Sequence, residues 1–139
     1  MPRLPITPPG LPRPSGFSHA VEARGRLLFL AGQTAQGPDG RIVAPGRLVE
    51  QFRQALDNVR IVVEAAGGSL KDLVKVTFYV RDKADYRARA REIGQVYRTM
   101  MEGHYPATTL VEVSGLWDDE ALIEIDGMAV LEPLPEETR

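Results

Sequence analysis

Between Leu48 and Met101 the hydrophobic period of this chain changes from helical to extended and back to helical, a succession that calls for helices layered on a sheet. Leu48, Phe52, Ala55, Leu56, Val59, Val62, Val63 and Ala66 fall on one helical stripe, opposite Glu50, Arg53, Asp57, Arg60 and Glu64. Gly67-Gly68 stops that helix, because glycine takes the left-handed cap conformation without a side-chain clash. Val74, Val76, Phe78 and Val80 then alternate with Lys75, Thr77, Tyr79 and Arg81, the pattern of a strand covered on one side. Asp82 is suited to cap a second helix, with an inner stripe of Tyr86, Ala90, Ile93, Tyr97 and Met100 or Met101, and Gly103 ends it. Arg87, Arg91 and Arg98 lie off that stripe, on what reads as a solvated face.

More strands flank this centre. Phe17 to Glu22 and Arg26 to Gln33, joined by Arg24-Gly25, are expected to pair as a hairpin. The second of them is apolar at both parities, so both its faces should be covered. Tyr105-Pro106 opens a further strand, with Thr108, Leu110 and Glu112 on one face and Thr109, Val111 and Val113 on the other, the expected core face. A last strand runs from Ala121 to Leu131. The order β-β-α-β-α-β-β defines one α+β domain, a mixed sheet with two helices on one face, over residues 15–131. Residues 1–14, with six prolines, form an extended arm, and residues 132–139 an acidic tail. The face without helices should carry Leu110, Leu122, Met128 and Val130, and a second copy of the chain is the economical cover for it.

Composition narrows the chemistry. The chain has no cysteine, which removes disulfides, thiolate catalysis and cysteine metal sites, and suits the cytoplasm. A formal net charge of -2 provides no bulk attraction to nucleic acid or anionic membrane, and neither is expected as a partner. No apolar run approaches the ~20 residues of a membrane span, and the N-terminus lacks the apolar core of a signal peptide. His19 and His104 stand far apart in no ligand spacing, so no metal is expected, and no cofactor. Ala65-Ala66-Gly67-Gly68 closes a helix, whereas a phosphate cradle opens one. Glu112 shares a face with Thr108 and Leu110, and Glu124 and Asp126 with Leu122 and Met128. If the last two strands are neighbours, these carboxylates line one partly apolar pocket. There they can act as general base or acid, or pair with arginine across a subunit interface, and both readings stay open.

Leu30-Ala31-Gly32-Gln33, Gln54-Ala55-Leu56-Asp57-Asn58-Val59, Glu64-Ala65-Ala66-Gly67, Val74-Lys75-Val76-Thr77-Phe78-Tyr79-Val80, Tyr105-Pro106-Ala107-Thr108 and Ile123-Glu124-Ile125-Asp126 occur in that order. Over residues 15–131 the chain thereby resembles the RidA/YjgF family, also labelled endoribonuclease L-PSP. The resemblance implies a chorismate-mutase-like fold and a homotrimer with a central barrel, holding a small-molecule cleft at each subunit interface. It implies hydrolysis of reactive 2-imino or enamine acids to 2-oxo acids and ammonia. In such members an arginine after Pro-Ala clamps the substrate carboxylate, a glutamate on the last strand positions water, and an aromatic near the N-terminus lines the cleft. By position these become Thr108, Asp126 and Phe17 here, with Ala31, Gly32, Gln33 and Leu110 as further ligand-binding residues. Glu112 is the second candidate, after Asp126, for the base.

The departures from that pattern carry chemistry. Threonine has one hydroxyl where arginine has a charged two-pronged donor, and aspartate is a methylene shorter than glutamate. The expected cleft therefore disfavours the standard 2-imino acids and admits a neutral or cationic ligand. Two functions stand on the sequence: hydrolysis of some other enamine or imine to a carbonyl compound and ammonia, or metabolite binding without turnover by a regulatory trimer. A nuclease role, which the older family label suggests, finds no histidine pair, metal site or basic balance to support it.

Overall fold

The computed structural model describes residues 3–134, so the first two residues of the arm and the last five of the tail lie outside the described residues. The helical stripe beginning at Leu48 forms α1 (Leu48–Ala65), whose Phe52, Ala55, Leu56, Val59 and Val63 are buried in the core. They share one cluster with Val76, Phe78 and Val80 of β4 (Leu73–Val80) and Ile123 and Ile125 of β6 (Ile123–Leu131). Gly67 takes a positive φ of 92° just past the end of α1, as its stop signal requires. The second helical segment is broken at Arg89 into α2 (Lys83–Ala88) and α3 (Ala90–Met101). Asp82 caps α2 as expected, its carboxylate accepting from the Asp85 amide at 3.0 Å. The bend leaves Ala90 exposed, off the stripe that Ile93, Tyr97 and Met101 occupy.

With β3 (Arg26–Gln33) and β5 (Ala107–Glu112), β4 and β6 form a four-stranded mixed sheet in the order β3-β6-β4-β5. The expected hairpin is absent. β2 (Ala20–Glu22) pairs antiparallel with β1 (Leu4–Ile6) of the proline-rich arm, while β3 pairs with β6. Gly25 explains the difference: with φ at 150° it packs against the Leu131 carbonyl of β6, where any side chain would collide. The glycine serves a close approach to another strand, where a hairpin turn was expected. The last two strands are not neighbours either, because β4 lies between them. The α2–α3 crossover sets β5 parallel beside β4, as helical crossovers do.

Register also reverses the faces expected for β5. Phe78, buried on the helix side, pairs with Leu110, which consequently packs on the same core. Thr109 and Val111 pair with Thr77 and Tyr79 and turn to the open side, leaving Val111 40% exposed. A side-chain period of two means that one neighbour's parity decides the whole strand. The open face accordingly differs from expectation. Leu110 and Leu122 pack against the core and Val130 is buried. Leu27 and Phe29, 60% and 70% exposed, supply the apolar surface with Val111 and the half-buried Met128.

One residue of the core is polar. Gln51, fully buried on α1, donates to the carbonyls of Ala44 (3.2 Å) and Glu120 (3.0 Å) and accepts from the Leu122 amide (2.8 Å). It thereby ties the loop before α1 to the entry of β6. Gln51→Leu is expected to destabilise the chain by about 2–4 kcal/mol, since the Glu120 carbonyl and the Leu122 amide lose their Gln51 partner at about 1–3 kcal/mol each before relaxation, while the Ala44 carbonyl keeps the Arg47 amide. A lower denaturant midpoint at unchanged slope is the measurement.

Candidate functional site

The residues between the arm and β2 form one wall of a cleft. Ser18 donates its amide to the Pro106 carbonyl (3.2 Å) and its hydroxyl to the Tyr105 carbonyl (2.6 Å), pinning this segment to the entry of β5. The Phe17 ring stacks edge-on against His19 at 5.2 Å, and His19 Nε2 lies 2.9 Å from the Pro12 carbonyl. Held this way, Phe17 lines a cavity of about 250 Å³ with Ser15, Gly16, Tyr86, Thr108 and Leu110. Three of the expected ligand-binding residues, Phe17, Thr108 and Leu110, thus come together. The Thr108 hydroxyl is already committed, donating to the Pro106 carbonyl at 2.9 Å.

That cavity adjoins a larger, open one of about 610 Å³, which shares Ser15, Gly16, Phe78 and Tyr86 with it and runs along α3 to the exposed Arg91 and Arg98. Both volumes together suit a metabolite with an apolar body. The walls are strongly aromatic. Burial pushes the Tyr86 phenol up to about 12 and raises that of Tyr97 still further, so both stay protonated donors. Tyr97 is only 5% exposed, and its hydroxyl lies beside Thr108 without reaching a well-formed hydrogen bond. Nearby, burial lowers the pKa of His104, whose Nε2 faces the Leu73 carbonyl at 2.6 Å, so the ring is held neutral.

Asp126 lies on the opposite face of the sheet. It pairs with Thr77 across β4 and accepts a hydrogen bond from the Tyr79 hydroxyl at 3.2 Å. The charge of Asp126 is the first cause of a raised Tyr79 pKa, with desolvation second, so the phenol remains a donor to the carboxylate. Opposite Asp126, β3 bulges: Leu30 pairs with Gly127 and Gln33 with Ile125, so Ala31 and Gly32 together face one residue. Gly32 has a specific reason to lack a side chain, because the Glu124 carboxylate lies where its Cβ would stand. Asp126, Ala31 and Gly32 therefore form a second constellation, with Gln33 at the rim of the bulge. Glu112 belongs to neither group. At the end of β5 it accepts from the Lys83 amide at 2.8 Å, serving the first turn of α2.

Sequence reasoning missed part of the first constellation. Ser15, Gly16, Tyr86, Tyr97, Arg91 and Arg98 line it although none was singled out for it. The arginines had one legible signal, a seven-residue spacing that returns to the same side of a helix, with Gly94 between them.

A mixed sheet covered by helices on one side, with a cavity at its parallel edge, defines an α+β protein of two layers. Residues 11–131 match the family model described as endoribonuclease L-PSP. The chain belongs to that family, the RidA/YjgF proteins, and has their chorismate-mutase-like fold. It is 39% identical to a RutC family protein of Pyrococcus horikoshii, over 87% of this chain and 92% of the relative. It is 37% identical to the 2-iminobutanoate/2-iminopropanoate deaminase of Escherichia coli, over 76% of this chain and 80% of the relative. The crystal structure of a conserved Rid family protein of unknown function from Yersinia pestis superposes with a TM-score of 0.84 at 36% identity, covering 94% of this chain and all of the other (100%).

Proposed function

We propose that this chain hydrolyses an imine or enamine to a carbonyl compound and ammonia, in a cleft completed between copies of a homotrimer, and that short 2-imino acids are not its substrates. Supporting the assembly is the placement of the two constellations. Phe17, Thr108 and Leu110 lie on the helix side and Asp126 on the open side, so only two copies can bring them to one ligand. The exposed Leu27 and Phe29 beside Asp126 mark the face that a second copy would cover.

In such a cleft Asp126, oriented by Tyr79, accepts a proton from water as the water oxygen bonds to the imine carbon, and returns that proton to the imine nitrogen as the C=N π bond opens. The resulting carbinolamine then collapses to the carbonyl as the protonated nitrogen leaves as ammonia. The observation that carries the substrate restriction is Thr108, whose only donor is spent on Pro106, where a clamp for an adjacent carboxylate would be needed. No described helix is long and apolar enough to cross a membrane, and a chain without cysteine suits the reducing cytoplasm in which we place it.

The test is to generate imines in situ with an amino-acid oxidase and follow ammonia release with and without the protein. Slow turnover of 2-iminopropanoate is expected, with faster turnover of bulkier imines that falls at least about tenfold in Asp126→Asn. Rapid turnover of 2-iminopropanoate overturns the restriction, and turnover of no imine overturns the hydrolase in favour of a binding protein. A monomer by light scattering removes the shared cleft.

A further inference from the structure

The larger cavity is lined by two exposed arginines whose guanidinium groups have no partner among the described residues. Arg3, Arg47, Arg60 and Arg89 each grip a carboxylate within 3.1 Å. Among the described residues the guanidinium groups of Arg91 and Arg98 have neither an ion pair nor a hydrogen bond, and both exposed side chains line the cavity along α3. They are two helical turns apart on one side of the helix, about 10 Å along its axis. Between them, on the same side, stands Gly94.

A glycine inside a helix costs about 1 kcal/mol against alanine, so it needs a reason. No neighbouring atom supplies one, since a Cβ there would have nothing within 4 Å. The effect of the glycine is to leave the exposed helix surface between Arg91 and Arg98 bare of any side chain. A second, independent observation concerns the same wall: Tyr97, 5% exposed, lines the cavity, and its buried hydroxyl beside Thr108 has no well-formed hydrogen bond.

We infer that Arg91, Gly94 and Arg98 form the anion receptor of this cleft, and that its ligands are acids whose carboxylate is separated from the reacting carbon by an apolar or aromatic body. This deepens the functional reading above and rests on it for the position of the reacting carbon beside Thr108. The geometry follows from the two adjoining cavities. The small one holds the reacting end against Phe17, Thr108 and Leu110, the shared Phe78 and Tyr86 flank the body, and the large one holds the acid. Positive charge therefore enters from α3 at a distance, whereas β5 presents only a hydroxyl. The expectation from sequence, that such a site turns away anions, is thereby narrowed to anions whose charge adjoins the reacting carbon.

Binding tests this without any turnover. The full chain is titrated calorimetrically with 3-phenylpropionate and with its neutral isostere 3-phenylpropionamide. The acid should bind about tenfold tighter or more, the worth of a charge-assisted hydrogen bond. Arg91→Gln with Arg98→Gln should abolish that preference while leaving amide binding in place. Gly94→Leu should weaken both ligands without lowering the thermal midpoint, because the bare surface is covered and the helix gains a better helix former. Equal affinity for acid and amide, or a preference that survives the double substitution, overturns the receptor. A protein that prefers the acid but turns over no imine refutes only the hydrolase, and one that hydrolyses imines without the preference refutes only the receptor.

Discussion

Thr108→Arg is expected to raise kcat/KM for 2-iminopropanoate by about thirtyfold to several thousandfold, the worth of a buried charge pair of about 2–5 kcal/mol. The position sits where β5 begins, half-buried, on the wall of the smaller cavity. Its present hydroxyl donates to Pro106, a contact the variant can lose without stranding an acceptor, because the carbonyl also accepts from the Ser18 amide. Guanidinium nitrogens projected into the cavity would meet a carboxylate bidentately, next to the carbon that water attacks. The substrate profile should also invert, short 2-imino acids gaining while acids held from α3 lose through competition for the same space. Steady-state ammonia release from the two substrate classes measures both changes. A variant that folds and gains nothing on the short acid would show that Asp126, not position 108, limits that reaction.

The parts of the fold legible in the sequence are those dictated by local period. The α1 stripe, the alternation of β4 and the Asp82 cap stand where residue spacing puts them, because each depends on neighbours within one or two turns. Strand pairing did not. Gly25 reads as a hairpin turn until Leu131, distant in sequence, is seen against it. The faces of β5 could not be read from Thr108 to Val113 alone, since both parities mix polar and apolar residues and only the register with Phe78 decides between them. The candidate site divides in the same way. Motif order singles out Phe17, Thr108 and Asp126 as candidates, but that they lie on opposite faces of one sheet follows from β4 standing between β5 and β6. Arg91 and Arg98 are exposed, as a helix projection predicts, but the projection does not show that Ser15 and Gly16 pass close enough to make one cavity wall with them. Gln51 passed unnoticed for a related reason: its partners lie in two loops.

Core and cleft share an aromatic cluster, which makes Phe52→Ala the most damaging substitution expected in the core. Phe52 is fully buried and meets Phe78 and Tyr97 edge-on, with ring centroids 5.5 and 5.8 Å apart. Phe78 and Tyr97 are themselves edge-on at 5.6 Å, and Tyr97 continues to Tyr105 at 5.8 Å. Truncation removes a large apolar side chain and leaves a cavity, at about 3–5 kcal/mol. Against a total stability of about 5–15 kcal/mol, that is a sizeable fraction of what holds the chain together. The urea midpoint should fall in proportion at unchanged slope, read at fixed protein concentration because association would otherwise shift it. The milder Phe52→Leu separates packing from function. Phe78 and Tyr97 turn one edge to Phe52 and line the larger cavity, so slack in the core reaches a ligand that Phe52 never touches. Phe52→Leu should therefore weaken 3-phenylpropionate and its amide alike, leaving their ratio to Arg91 and Arg98. Preserved affinity in a destabilised Phe52→Leu protein would show that the cavity wall is held by α3 and the Ser15–Gly16 segment alone.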